Sequence, residues 1–383
     1  MTKIIQDSFK INIDVLRFFG LYPPINNSVL AKVKSLLFYF LSYVLVSILI
    51  FIRILSNNDY DNIQMNLTII FLWETVGFAF KVLPLLLDGR RIMKCVNYFE
   101  QPQFEPTDLE EKRIIDECVY ECRRNSTAFF YGIMASVVVW SFPAFRHFNT
   151  RRLPINCWLP YDPGTNLFSY CPTLIYLFAV VVYYAFSGTM IDPIIAGLAY
   201  HATCQIKILK YNLENLESNN YQTHVVAFED VFKKLGRCIK HHIHILNFVA
   251  EYEKCFSWPV FCQFAFNTIG LCFSCIGFIL AKTTSYENII NIFCLVVFSF
   301  QLFFYCYYGT LLYEENNGLG AAICMGSWYK YDVRIRKILI YIMERSKRPM
   351  IITSAKVINL TLATFVSVLK TSYSLIAVFN NYE

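Results

Sequence analysis

Few residues in this chain are of types and at spacings that could do chemistry. His241, His242 and His244 are potential metal ligands. At i, i+1 and i+3 they do not share one helix face, and no carboxylate or cysteine completes a set, so they read as a solvated helix back. Cys272 and Cys275 form a C-x-x-C pair among Phe273 and Phe278, where two small packing residues are the simpler reading than redox or zinc use. Glu74 and Lys81 stand inside an apolar run, where charge is expensive and usually faces a cavity or a partner. Glu74 either lines a cavity or reaches interfacial water, and Lys81 is placed to snorkel. Cys157 and Cys171 share a polar connection, as a bridge or as two free thiols. Asn66-Leu67-Thr68 is a sequon too close to the membrane for glycosylation to be expected. No Gly-rich phosphate loop, H-E-x-x-H helix, G-x-S-x-G elbow or dinucleotide fingerprint is present. No enzyme activity, cofactor or metal is therefore expected.

The elements that must position these residues are apolar helices. Of 383 residues, 56% are hydrophobic and 16% charged, with mean hydropathy +0.41. Soluble domains carry about 25% charged residues. Charges are scattered through residues 1–32, so no cleavable leader is expected and the first apolar block is a retained span. A spanning helix needs about 20 apolar residues, because each adds about 1.5 Å across a hydrocarbon core of about 30 Å. Seven runs qualify: 35–55, 64–87, 127–148, 168–199, 256–281, 288–312 and 352–379. The expected fold is all-α, a seven-transmembrane helical membrane protein.

Orientation follows from Lys and Arg in the connections. Five fall in 1–34, seven in 88–126, six in 200–250 and seven in 313–351, whereas the alternate connections hold one, three, one and none. That is 25 on one side and 5 on the other. The basic side is cytoplasmic, which puts the N-terminus inside and the C-terminus outside. G-protein-coupled receptors run the other way, and their Asp-Arg-Tyr and Asn-Pro-x-x-Tyr patterns are missing. The positive-inside rule also accounts for the basic loops, so lipid is a partner and nucleic acid is not.

The cytoplasmic connections are themselves amphipathic helices. Ile206, Leu209, Leu213 and Leu216 form one stripe; Val231, Leu235, Cys238, Ile239, His242, Ile245, Leu246 and Val249 another; Trp328, Ile335, Ile338, Leu339 and Ile342 a third. Together they predict a cytoplasmic helical anchor layer, packed internally or used for assembly. The organisation expected is a cytoplasmic segment (1–34), a six-helix transmembrane region (35–312) with cytoplasmic extensions (200–255), an anchor region (313–351), and a last helix with a short extracellular tail (352–383).

Two phrases go beyond topology. One is Leu16-Arg17-Phe18-Phe19-Gly20-Leu21-Tyr22-Pro23-Pro24, before the first span. The other is spread over Trp328-Tyr329, Arg345-Ser346-Lys347-Arg348-Pro349, Phe365 and Ser372-Tyr373-Ser374, with Tyr308-Gly309 closing the sixth span. This combination resembles the insect odorant receptor family along essentially the whole chain. Gustatory relatives usually end in Thr-Tyr…Gln-Phe, from which Ser372 and Phe379 depart. The second cytoplasmic connection is too short for the shared co-receptor, so the chain resembles a ligand-tuned subunit.

The resemblance implies a tetrameric, ligand-gated, non-selective cation channel of the sensory-neuron plasma membrane, formed with the co-receptor and opened by a small volatile odorant. It implies a pore lined by the last helix, with Ser372, Tyr373, Ile376, Phe379 and Asn380 as pore or gate residues. Thr361, Thr364, Ser367, Thr371 and Ser374 form a polar seam on that helix, as pore lining or as packing. The implied ligand pocket lies in the outer half of the first six helices. Ile133, Ser136 and Trp140 share a face there, with Tyr176 and Val180 from the fourth span and Trp73 from the second. A gustatory-type channel and a secondary transporter are the alternatives, though no inverted repeat is visible.

Overall fold

The computed structural model describes residues 7–22, 29–56, 62–146, 151, 153, 155–164, 166–216, 224–280, 286–348 and 350–380. In chain order the helices are α1 (Lys10–Phe18), α2 (Val29–Tyr39), α3 (Leu45–Ser56), α4 (Asn62–Asp88), α5 (Arg90–Val96), α6 (Leu109–Arg146), α7 (Leu167–Thr189), α8 (Asp192–Glu214), α9 (His224–Leu280), α10 (Tyr286–Asn317), α11 (Leu319–Met325), α12 (Val333–Ser346) and α13 (Leu362–Asn380). Strands β1 (Thr353–Ser354) and β2 (Ile358–Asn359) form an antiparallel pair with Thr353 opposite Asn359. Six helical stretches among the described residues are long and apolar enough to cross a membrane. Helix α13 follows them with 19 residues, about 28 Å at 1.5 Å per residue.

Hydropathy placed the spans but not their breaks. The first span is interrupted by a π turn, Phe40–Val44, between α2 and α3. The run 168–199 divides into α7 and α8 at Met190–Ile191, because Pro193 brings no N–H to the first turn of α8 and favours a helix start there. The last run starts ten residues late. Residues 353–359 form the hairpin, and Thr361 caps α13 by accepting from the Thr364 N–H at 3.4 Å.

Helix α9, with 57 residues, is about 85 Å long, far more than a bilayer core requires. Only its apolar second half, near 256–280, suits hydrocarbon. The first half joins the ends of α6 and α8 and helices α1, α5, α11 and α12 in a layer at the basic end. The amphipathic stripes are spent inside this layer: Ile206, Leu209, Leu213, Leu216, Val231, Leu235, Ile245, Ile335 and Leu339 are all buried within the one chain.

The N-terminal phrase has a mechanical reason. Gly20, at φ +74°, ends α1 in a Schellman motif: Leu21 N–H donates to the Leu16 carbonyl (2.8 Å) and Gly20 N–H to that of Arg17 (3.0 Å). Leu16 and Leu21 are both buried, and the Arg17 guanidinium lies 5.3 Å from the Tyr22 ring centre. Helix α1 then docks on the α7–α8 break, where Asn12 Nδ2 donates to the Met190 carbonyl at 2.9 Å.

His241 and His242 are not on a solvated back; both are buried. The His241 Nε2 pairs with Gln205 Oε1 at 2.9 Å, and its ring meets Phe104 edge-on. Burial pushes the His241 imidazole down to about 4, with Glu111 opposing the shift and His242 and His244 adding to it. The unfolded chain protonates this group near 6.5, so the stability it confers is complete above that pH. It is lost as pH falls from about 6.5 toward 4, up to about 3 kcal/mol at 1.4 kcal/mol per unit. Thermal melts of detergent-purified protein should therefore fall between pH 7.5 and 5, and His241→Gln should flatten that loss. Parallel acid curves for the two proteins would contradict this account.

Candidate ligand-binding site

A cavity of about 290 Å³ lies between α4, α6, α7 and α10. Helix α6 supplies Ile133, Ser136 and Trp140, which the 3.6-residue period puts on one face. Helix α7 adds Val181 and Tyr184, α4 adds Glu74 and Phe78, and α10 adds Phe298 and Gln301. The wall is apolar and aromatic, with polar atoms only at a few places. Its volume sits at the low edge of the roughly 300–1,000 Å³ typical of small-ligand sites.

A larger hollow of about 870 Å³ opens toward the 155–164 loop, past Arg53, Gln64 and Thr68. Trp140 lines both spaces and so forms the partition between them. Phe71 braces it, with ring centres 5.4 Å from Trp140 and 5.3 Å from Tyr184. Cys157 and Cys171, in and next to this loop, are unbridged thiols.

Three of the six residues expected at the pocket meet there, namely Ile133, Ser136 and Trp140. The other three do not. The Trp73 indole lies 4.8 Å from the Phe266 ring and donates to the Phe266 carbonyl at 3.2 Å. Tyr176 points at the π turn, its hydroxyl donating to the Leu41 carbonyl at 2.7 Å. Val180 is buried in the core, and its neighbour Val181, about 100° further around the helix, reaches the cavity instead. In each case spacing gave a helix face but not its rotation against its neighbours. Tyr184 and Gln301 were missed. Gln301 stands out as an amide in the middle of an apolar run.

Beneath the cavity runs a buried polar network. Gln301 Oε1 accepts from Gln263 Nε2 (2.8 Å) and Asn267 Nδ2 (2.9 Å). Gln263 Oε1 accepts from the Lys81 ammonium at 2.7 Å, and Lys81 pairs with Asp192. The Tyr305 hydroxyl donates to the same Asp192 oxygen at 2.7 Å. Lys81 therefore does not snorkel. It is fully buried in an ion pair that ties α4, α8, α9 and α10 together.

This architecture can be compared with known proteins. A family model described as 7tm Odorant receptor matches residues 61–373. This chain belongs to that family. The "Odorant receptor Or1" of Anopheles gambiae is 23% identical over 99% of this chain and 96% of its own length. "Putative odorant receptor 85d" of Drosophila melanogaster is 20% identical over 88% of this chain and 83% of its own. Among solved structures, the olfactory receptor OR5 of Machilis hrabei superposes with a TM-score of 0.84 at 15% identity, over 98% of this chain and 97% of that one. The same receptor in complex with eugenol gives 0.82 at 16% identity, covering 98% of each. The chain is thus a multi-pass membrane receptor of the odorant type and not an enzyme.

The residues expected at a pore all stand on α13, the last helix of this odorant receptor. Ser372 is buried against α9, its hydroxyl donating to the Val368 carbonyl at 3.1 Å with Cys272 Sγ at 4.0 Å. Tyr373 is 72% exposed. The side chains of Ile376, Phe379 and Asn380 lie outside the described residues. Ala363, Val366, Ser367, Lys370, Thr371 and Ser374 share one exposed face of α13, and Lys370 is the single charge on that helix.

The ion pair yields a stability prediction. Breaking a buried pair by neutralising one partner costs about 3–5 kcal/mol, whereas replacing both with apolar residues is often neutral. Asp192→Asn should thus cut the yield of monodisperse receptor and lower its melting temperature sharply, while Lys81→Met combined with Asp192→Leu should recover most of the loss. Equal damage from the single and double variants would show that the residues act independently.

Proposed function

We propose that this receptor is a ligand-tuned, ligand-gated, non-selective cation channel subunit that binds a small volatile molecule and assembles with the shared co-receptor. The observation that carries the reading is the aromatic cavity between four spans, joined through Gln301 to the helices that hold the last one. The Machilis hrabei receptor has been solved with eugenol, a small aromatic volatile, and a cavity of 290 Å³ walled by Trp140, Phe78 and Tyr184 suits that class. Volatiles offer much apolar surface and few polar groups, which Ser136, Glu74 and Gln301 can match one at a time. The charge asymmetry of the connections supports a cytoplasmic N-terminus.

Coupling from cavity to pore has a physical basis in α9 and α10. Helix α9 holds the hairpin before α13: Glu253 accepts from the Thr353 amide (2.7 Å) and hydroxyl (2.8 Å), and Ser354 Oγ donates to the Ser257 carbonyl at 2.9 Å. Helix α10 holds the first turn of α13, with Thr310 Oγ1 accepting from Leu362 N–H at 2.9 Å. A ligand that shifts Gln301 displaces both supports. The exposed polar face of α13 then serves as pore lining, and Lys370 places a positive charge along it.

Whole-cell recording with and without the co-receptor tests the reading. An odorant-evoked cation current that requires the co-receptor is expected; current without it would indicate a gustatory-type channel, and solute accumulation without current would indicate a transporter. Trp140→Ala should raise the half-maximal concentration of well-fitting agonists about two- to tenfold, since an aromatic contact is worth about 0.5–1.5 kcal/mol. An unchanged ranking of odorants would remove the cavity from ligand recognition. Lys370→Gln should raise cation conductance up to about fourfold, because a unit charge some 5 Å away in water is worth roughly 0.8 kcal/mol. Unaltered conductance would place Lys370 outside the conduction path.

A further inference from the structure

A second cluster lies in the basic-end layer, away from the cavity. Cys118 and Cys122 are one turn apart on α6, and His201 and Cys204 are one turn apart on α8. Helices α6 and α8 pack directly against each other, so the two pairs face one another across that contact. All four side chains are buried, between 0% and 4% exposed. The sulfurs of Cys118 and Cys122 and a ring nitrogen of His201 lie within 4.8 Å of one another. Cys118 Sγ is 3.4 Å from His201 Nδ1, and Cys204 stands one turn further along α8, buried like the other three.

Zinc chemistry fits these distances. With Zn–S bonds of about 2.3 Å and Zn–N bonds of about 2.0–2.1 Å, tetrahedral coordination separates ligand atoms by roughly 3.5–3.8 Å. The Cys118–His201 pair, at 3.4 Å, is close to that separation and Cys122 lies within 4.8 Å of both, so a fourth ligand requires the Cys204 side chain to turn toward them. The other ring nitrogen is accounted for as well. His201 Nε2 faces Ser8 Oγ at 3.3 Å, the outer partner that fixes ring orientation in metal-bound histidines, and the Phe9 ring packs edge-on against the same imidazole.

We propose that Cys118, Cys122, His201 and Cys204 form a Cys₃His site for one Zn²⁺ ion. Three thiolates and an imidazole, with no carboxylate among them, favour a borderline-soft ion such as zinc over magnesium or calcium. Four protein ligands leave no open position, so the site is structural and performs no hydrolysis. Binding releases the thiol protons, up to three per ion, because only thiolates ligate. The ion clamps α6 to α8 two and a half turns beyond Asp192 and holds α1 through Ser8 and Phe9. It therefore fixes the position of the ion-paired end of α8.

The test uses full-length receptor purified in detergent under reducing conditions, with metal content measured by mass spectrometry. An equimolar amount of zinc is expected, falling to background in Cys118→Ser/Cys122→Ser and unchanged in Cys324→Ser, an exposed cysteine elsewhere in the layer. A double variant that fails to fold does not end the test, because chelator-treated wild-type receptor can be titrated with Co²⁺. Thiolate-to-cobalt charge-transfer absorption, with intense visible bands of tetrahedral cobalt, would support the site. Two results overturn it: zinc retained in a folded double variant, or substoichiometric zinc together with no cobalt charge-transfer absorption.

Discussion

Lys81 and Asp192 meet in the middle of an apolar bundle, and much of the arrangement around them follows from what that requires. Two charges out of water cost several kcal/mol each unless they are paired and hydrogen-bonded. Here the ammonium also reaches Gln263, the carboxylate receives the Tyr305 hydroxyl, and Gln263 passes the chain on to Asn267 and Gln301. Apolar helix faces attract one another little more than they attract lipid, so they specify register weakly. A polar network with a charge at its centre specifies it strongly, since any axial slip strands a buried donor or acceptor. The α7–α8 break belongs to the same constraint, because it places Asp192 in the first turn of a new helix. There the positive end of the helix dipole favours a carboxylate.

From that fixed level the structure runs two ways. Toward the 155–164 loop, α4 and α10 go on to line the aromatic cavity together with α6 and α7. Toward the basic end, α9 and α10 continue as the support of the last helix. At Gly309 the two backbones approach so closely that a Cβ would run into the Leu360 carbonyl, which gives the Tyr308-Gly309 phrase a steric reason. The phrase around Ser346 has one too. Asn316 on α10 donates to the carbonyls of Ser346 (3.4 Å) and Arg348 (3.5 Å), closing the end of α12 just before the hairpin. Helix α13 is thus secured through its first turn and the hairpin, while Ser367, Lys370, Thr371 and Ser374 remain exposed on one face of its described side chains.

How much of this the sequence disclosed depends on the range of the physics involved. Spans are readable because hydrocarbon tests each stretch of about 20 residues on its own. The α6 face of Ile133, Ser136 and Trp140 is readable for a similarly local reason, the helical period. Tyr176, Val180 and Trp73 fall outside the cavity, because a period does not fix how a helix is rotated against others. The start of α13 was misjudged because Ile351, Ile352, Val357, Ile358 and Leu360 keep hydropathy high through a hairpin held by hydrogen bonds to α9. Lys81 was recognised as anomalous, but its partner is 111 residues away and no local pattern joins them. His241 looked like a surface residue because its carrier helix is polar on that side. The layer that buries it is assembled from segments distant in the chain.

The separation between the polar network and the cavity wall also explains how such a scaffold can be retuned. Of the groups that fix helix register, Lys81, Asp192, Gln263, Asn267 and Tyr305 do not line the cavity; only Gln301 does. Ile133, Ser136 and Val181 line the cavity and take no part in the network, so changing them reshapes the space without exposing a buried charge. Such changes cost the modest energies of altered packing, about 1–3 kcal/mol, and not those of a broken ion pair. Gln301 is the exception, because its amide serves the network and lines the cavity at once. A receptor built this way can vary its wall widely, while variation at the one shared residue acts on recognition and on helix register together.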